Sequence, residues 1–226
     1  MFKIKKIENK TVYYSDIMPV EHFFTTRELE VGENIDLIKD YLNVDYLIRP
    51  QQVHGDNVEI IEDKLDYPSC DALILNQANK AIYLNFADCT PLVFYDPINN
   101  ISAISHAGWR GTALKIGVKT ILKMKEKFNS NLNDIIALIG PCISFSEFET
   151  SFEAIEMLGK TVNNKTGIFD GRKADLKGIN KRQLEELGVK KIDVCPFCTV
   201  LDNDKFFSYR KENKTIKRHS AIIKCN

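Results

Sequence analysis

Apolar residues in this chain come in short dense runs separated by polar breaks, and helical spacing appears in only a few places. Residues 58–61, 71–75, 81–86, 92–95 and 101–105 are rich in branched and aromatic side chains and read as strands. Residues 76–80 read as the turn between the second and third, and Asp96-Pro97 with Asn99-Asn100 as a tight turn before the fifth. Further strands are predicted over 135–139, 192–194, 206–209 and 221–224. Helical spacing predicts helices over about 34–42, 152–158 and 177–187. The most regular one follows Thr112, with Leu114, Val118, Ile121, Leu122 and Phe128 on its apolar face and lysines opposite. Strands dominate the middle and helices interrupt them irregularly, so the pattern predicts an α+β fold of layered mixed β-sheets flanked by helices. No repeat, low-complexity tract or linker marks a boundary, and 1–226 reads as one domain.

The bulk numbers narrow the function classes. Hydrophobic content of 44% and charged content of 27% are ordinary for a globular protein. With 31 basic and 31 acidic residues, no global field attracts nucleic acid or an anionic membrane, and neither is expected as a partner. The basic run Arg210, Lys211, Lys214, Lys217 and Arg218 reads as a solvated edge or turn, with anion binding as the alternative. No apolar stretch has membrane length, and the N-terminus lacks a signal peptide's apolar core. Six cysteines scattered at 70, 89, 142, 195, 198 and 225 do not form a dense disulfide framework. A reducing cytoplasm is the expected location and a monomer the expected state.

Candidate chemistry gathers at three breaks: Gln-Gln-Val-His around His54, Ala-Asp-Cys-Thr-Pro around Cys89, and Ser-His-Ala-Gly-Trp-Arg-Gly-Thr around His106. Each lies beside an apolar run, where a group is held rigidly yet reaches solvent. Two imidazoles and one thiolate suit a zinc ion with a fourth position open. The same groups also suit a cysteine nucleophile with a histidine base, and spacing alone leaves both readings open. Asp88 and Gln52 are candidates to position substrate or protons. Gly108–Thr112 opens a helix, whose free amides together with Arg110 would suit phosphate or a carboxylate. Cys142, after Gly140-Pro141 at a strand end, is either near the site or core. Cys195-Pro196-Phe197-Cys198 has neither a second pair nor a nearby histidine to complete a zinc site. A non-enzymatic interaction protein fits poorly with polar residues clustered at strand ends.

Several ordered motifs resemble the YfiH family, also called the laccase-domain or multicopper polyphenol oxidase family. They are Gln-Val-His-Gly at 52–55, Asp-Ala-Leu-Ile at 71–74, Ala-Asp-Cys-Thr-Pro-Leu at 87–92, His-Ala-Gly-Trp-Arg-Gly-Thr at 106–112 and Ile-Gly-Pro-Cys-Ile at 139–143. Asp175-Leu176, Asn180, Cys198-Thr199 and Phe207-Ser208-Tyr209-Arg210 fit the same pattern. Two segments depart from it: the opening His22-Phe23-Phe24-Thr25-Thr26-Arg27 lacks the family's glycine, and Ile216-Lys217-Arg218 replaces Thr-Gly-Arg.

The resemblance implies a layered fold similar to the catalytic domain of cytotoxic necrotizing factor. It implies zinc, with copper as the other candidate, on His54, Cys89 and His106. It also implies phosphorolysis of purine nucleosides (adenosine, inosine, guanosine, methylthioadenosine) together with adenosine deamination. Cys89, His54, His106 and Asp88 are then the expected catalytic residues, and Arg110, Gln52, Cys142 and Arg27 the expected substrate contacts. The alternatives are a cysteine amidohydrolase using Cys89 with His54 or His106, and a copper-dependent polyphenol oxidase. A stand-alone four-copper oxidase needs a trinuclear cluster with far more imidazoles than the four in the whole chain.

Overall fold

The computed structural model describes residues 1–226. The strands are β1 (Phe2–Ile7), β2 (Lys10–Ser15), β3 (His22–Thr25), β4 (Tyr46–Ile48), β5 (Val58–Ile60), β6 (Ala72–Leu75) and β7 (Lys80–Phe86). They continue as β8 (Thr90–Asp96), β9 (Ile101–Ala107), β10 (Ile136–Ile139), β11 (Phe169–Asp170), β12 (Lys173–Ala174), β13 (Lys191–Val194) and β14 (His219–Lys224). The helices are α1 (Ile35–Leu42), α2 (Trp109–Ala113), α3 (Ile116–Phe128), α4 (Phe152–Gly159) and α5 (Leu176–Leu187). One sheet runs β1-β2-β3-β14-β7-β4 and the other β13-β10-β8-β9-β6-β5, each mixing parallel and antiparallel pairs.

Side-chain alternation along the central strands decides the layering. In β8, Leu92 and Phe94 share a core with Ile116, Ile121 and Met124 of α3. Their neighbours Val93 and Tyr95 share the core between the sheets with Leu84, Phe86 and Ile223. The far face of the first sheet packs against Ile38 and Leu42 of α1. Strands covered on both faces favour apolar residues at successive positions, which explains the unbroken runs Ala72–Leu75 in β6 and Leu92–Tyr95 in β8. Strand β9 is equally buried but includes Ser102 and Ser105. The α+β layering expected from the pattern is the one observed.

Three local expectations need correction. The predicted turn 76–80 carries the chain from one sheet to the other, because β6 and β7 belong to different sheets. The single helix expected after Thr112 is two, broken where Lys115 adopts a left-handed backbone with φ +57. That break rotates the buried face onto Ile116, Thr120, Ile121 and Met124, leaving Leu114 and Leu122 exposed. Residues 206–209 are no strand: Phe206 and Phe207 are buried, but the Phe206 amide closes a turn onto the Asp202 carbonyl. Their apolarity fills the core without a sheet partner. No helix is long and apolar enough to cross a membrane.

Candidate metal centre

The open end of the β8–β9 hairpin builds the first half of the site. Its register pairs Thr90 with Ala107 and Pro91 with His106, so Cys89 falls beside Gly108 just beyond the ladder. A β-carbon at Gly108 would lie 2.9 Å from Cys89 Sγ and 3.5 Å from the His54 ring, so only glycine leaves these groups room. His54 arrives from the 49–57 loop with a left-handed backbone, φ +62. Buried Asp71, just before β6, imposes that turn. Its carboxylate accepts the amides of Val53 (3.1 Å), His54 (3.0 Å) and Gly55 (2.7 Å). Three charge-assisted bonds to one buried carboxylate hold a non-glycine residue in a sparsely populated conformation.

Asp71 also orients the second histidine. His106 Nδ1–H donates to Asp71 Oδ1 at 2.8 Å, and the His106 amide donates to the Asp71 carbonyl at 2.7 Å. Ring nitrogen Nε2 is thereby left for the centre, the arrangement in which a carboxylate sets the tautomer of a ligating imidazole. The donor atoms of His54, Cys89 and His106 all lie within 4.8 Å of one another. Their chemistry and the cradle left by Gly108 fit a metal of borderline softness such as zinc. Sequence reasoning gave Asp71 no role, although a lone acid heading the apolar run Ala72–Leu75 was a readable signal.

The electrostatics suit the same set. Burial pushes the Cys89 thiol up, but the charge and hydrogen bond of His106, with a bond from His54, overcome it and bring it to about 6. Burial pushes His106 down, and Cys89 and Asp71 together raise it to about 9. Burial raises the Asp71 carboxyl, while His106 and the loop amides hold it below its ordinary value. Cys89 and His106 therefore form a thiolate–imidazolium pair when no metal replaces the proton.

This centre opens into a cleft of about 880 Å³ whose wall carries Arg49, Arg110, Arg210 and Arg218 and one acid, Asp88. A shallower depression of about 540 Å³ at the C-terminal ends of α3 and α5 contains none of the candidate residues. Arg110 is exposed in the main cleft and stacks on Trp109 at 4.5 Å. The helix expected to support it, α2, spans a single short turn, so anion attraction there rests on the guanidinium and not on a helix dipole. Gln52 lines the cleft, but its amide exchanges two 2.9 Å bonds with the Asn85 backbone and pins the 49–57 loop to β7. Asp88 lines it too, with φ +82.

Cys142 and Arg27, expected as substrate contacts, do not reach the cleft. Cys142 is fully buried, its backbone pairs with that of Cys198 while both thiols stay free, and burial pushes its thiol up to about 11. Arg27 makes a two-pronged pair with Glu212 at 2.9 and 3.1 Å and stacks on Phe207 at 4.4 Å. Arg210 and Arg218, read from sequence as part of a solvated run, face the cleft instead. Nothing in the local sequence of Arg49 distinguished it.

Comparison with known proteins assigns this architecture. Residues 22–226 match the family model described as multi-copper polyphenol oxidoreductase laccase.

The chain belongs to that family, the YfiH family.

Among its curated YfiH-family relatives, a purine nucleoside phosphorylase of Clostridium acetobutylicum is 33% identical over 202 residues, covering 88% of this chain and 86% of that protein. The purine nucleoside phosphorylase YlmD of Bacillus subtilis is 29% identical over 217 residues, covering 87% and 78%. The crystal structure of YlmD from Geobacillus stearothermophilus superposes with a TM-score of 0.84 at 24% identity, covering 91% of each chain. The hypothetical protein YfiH of Bacillus licheniformis superposes with 0.86 at 23%, covering 98% of each, which establishes the shared fold.

Proposed function

We propose that this YfiH-family chain is a metal-dependent purine nucleoside phosphorylase that also deaminates adenosine. The observation that carries the reading is the meeting of His54, Cys89 and His106 at an arginine-walled cleft large enough for a nucleoside. The curated relatives are named purine nucleoside phosphorylases, which supports purine nucleosides and inorganic phosphate as the substrate class. Within that class we propose adenosine, inosine, guanosine and methylthioadenosine.

In this reading His54, Cys89 and His106 hold zinc or copper, and the metal supplies Lewis acidity at the cleft floor. Asp71 sets the His106 tautomer, and Gly108 keeps space beside the thiolate. Arg110 and Arg49 offer cationic groups for phosphate, whose oxygens match forked guanidinium donors. Trp109 and Tyr209 offer aromatic surface to the base. The whole chain works as one domain, supported by β14 pairing with β3 and β7 so that both ends of the sequence share a sheet. A cytoplasmic monomer completes the reading, with six free cysteines suited to a reducing compartment.

The polyphenol oxidase alternative meets an obstacle in the two histidines outside the centre. His22 accepts the Ser15 amide at 3.0 Å inside the first sheet, and His219 is fully buried between Phe86 and Phe206. Neither is placed to join a copper cluster with the other pair. A cysteine amidohydrolase is favoured by one observation, the proximity of Cys89 to His106 and His54, which lowers the thiol and raises the His106 imidazole. A metal on the thiolate suppresses that nucleophilicity, so the two activities compete.

The deciding experiment measures free purine released from each nucleoside with and without phosphate, before and after metal removal by chelation and zinc return. We expect phosphate-dependent release that falls with the metal and returns with it. Release that persists in a protein lacking all three ligands would sink the reading. Amide hydrolysis appearing only in the stripped protein, and abolished by alkylating Cys89, would favour the amidohydrolase.

A further inference from the structure

We propose that Asp88 is a positioning residue, whose carboxylate clamps the Tyr209–Arg210 wall of the cleft and so sets the face Tyr209 offers to the substrate's base. The ligand in this statement rests on the nucleoside reading above; the clamp itself does not.

Both carboxylate oxygens of Asp88 are engaged away from the cleft floor. Oδ1 accepts Thr199 Oγ1–H at 2.6 Å, and Oδ2 accepts the Arg210 amide at 2.7 Å. The Asp88 carbonyl also accepts the Ile143 amide at 3.1 Å. One residue thereby joins the segments around 143, 199 and 210 to the break that carries Cys89. It does so with φ +82, a sparsely populated conformation that aspartate tolerates better than most residues and that these bonds hold in place.

The donors are themselves anchored. Thr199 is fully buried, and its amide donates to the Cys142 carbonyl at 3.2 Å. From the other side, the Arg210 guanidinium donates to the carbonyls of Glu147 (3.3 Å) and Glu149 (2.9 Å). The stretch between β13 and β14 belongs to no sheet, so such side-chain ties, and not a strand ladder, hold it in place. Tyr209, beside the clamped amide, is exposed and lines the cleft, and its flat ring matches a purine face.

The test compares Asp88→Asn, Thr199→Val and Tyr209→Ala in the metal-loaded full chain. Amide hydrogen exchange of the 206–212 peptide is followed without substrate, alongside zinc content and steady-state kinetics with inosine and phosphate. Thr199→Val nearly preserves shape and leaves the carboxylate beside Cys89 intact, so it remains informative if Asp88→Asn folds poorly. We expect both clamp variants to speed 206–212 exchange about tenfold and raise KM for inosine about tenfold, with kcat within about threefold and zinc retained. Tyr209→Ala should raise KM comparably. Unchanged exchange in both clamp variants overturns the clamp whatever the substrate. A hundredfold fall in kcat at constant KM in Asp88→Asn, with Thr199→Val unaffected, overturns it in favour of proton transfer. Faster exchange in a wild-type background that does not turn over nucleosides leaves the clamp standing and overturns the assignment of Tyr209 to a purine.

Discussion

The cleft has two halves built by different means. One half joins Cys89, His106 and Asp71, at strand ends where the β6–β9 and β8–β9 ladders determine which residues are neighbours, to His54, which Asp71 holds on the 49–57 loop. The other half, residues 143–149 and 199–218, lies outside both sheets and is held by isolated bonds. These are side-chain ties of Asp88 to Thr199 and Arg210 and of Arg27 to Glu212, with backbone bonds such as Thr199 to Cys142 and Arg27 to Lys205. Ladder hydrogen bonds share load over many residues, whereas one lost clasp frees a loop. The strand-end half therefore suits chemistry that needs donor atoms held together. The loop half suits recognition, which tolerates and exploits variation.

Asp71→Asn is the strongest attempt to break this division. It removes the charge that holds the 53–55 turn and the His106 tautomer together, so zinc affinity should fall about 10–100-fold. Stability should fall by roughly 3–5 kcal/mol, as when a buried ionic partner is deleted. Zinc titration and urea unfolding read the two effects. Full zinc affinity in this variant would mean that the strand-end half does not depend on its buried carboxylate.

Gly108→Ala probes the same half more gently. The backbone at 108 has φ −64, so alanine is conformationally acceptable and the cost is the contact with Cys89 Sγ. Zinc affinity should drop about tenfold, with unfolding stability changed by under about 1 kcal/mol. Wild-type zinc binding would show that the thiolate moves freely, contrary to a rigid half.

A test confined to acid pH, with no change expected above pH 6.5, concerns the seam between the halves. His219 lies against Phe86, which faces His106, and against Phe206 of the loop half. Burial pushes its imidazole down to about 3, below the ordinary 6.5. The unfolded chain thus binds a proton that the folded chain refuses between those values. The contribution is complete above pH 6.5 and is lost as pH falls toward 3, by up to about 1.4 kcal/mol per pH unit. Urea midpoints across pH 7 to 4.5 should fall more steeply for the wild type than for His219→Phe. Parallel slopes would remove His219 as the acid-sensitive point, leaving His22, which burial lowers to about 4.

Much of the architecture was legible because burial on both faces imposes apolar runs, as in β6 and β8. The helix break at Lys115 was not, since a left-handed lysine leaves no mark in hydrophobic spacing. The predicted strand at 206–209 failed for a related reason: Phe206 and Phe207 are apolar because they fill a core, and apolarity does not specify a sheet partner. Among site residues, histidines and cysteines drew notice by being scarce. Arg49 did not, and Arg210 and Arg218 were legible only as members of a basic run, because an arginine side chain gives no hint of which cavity it faces.

By itself, the sequence determined the run of elements, the kinds of donor available and the scarcity of imidazole that rules out a copper cluster. Those properties are local or countable. Tertiary structure decided that Cys89 stands beside Gly108, that Asp71 serves two histidines at once, and that Asp88 faces a loop more than a hundred residues away. These are facts of register and of long-range hydrogen bonding. A shift of one residue in a ladder reverses which side chains meet, so no local pattern encodes the meeting.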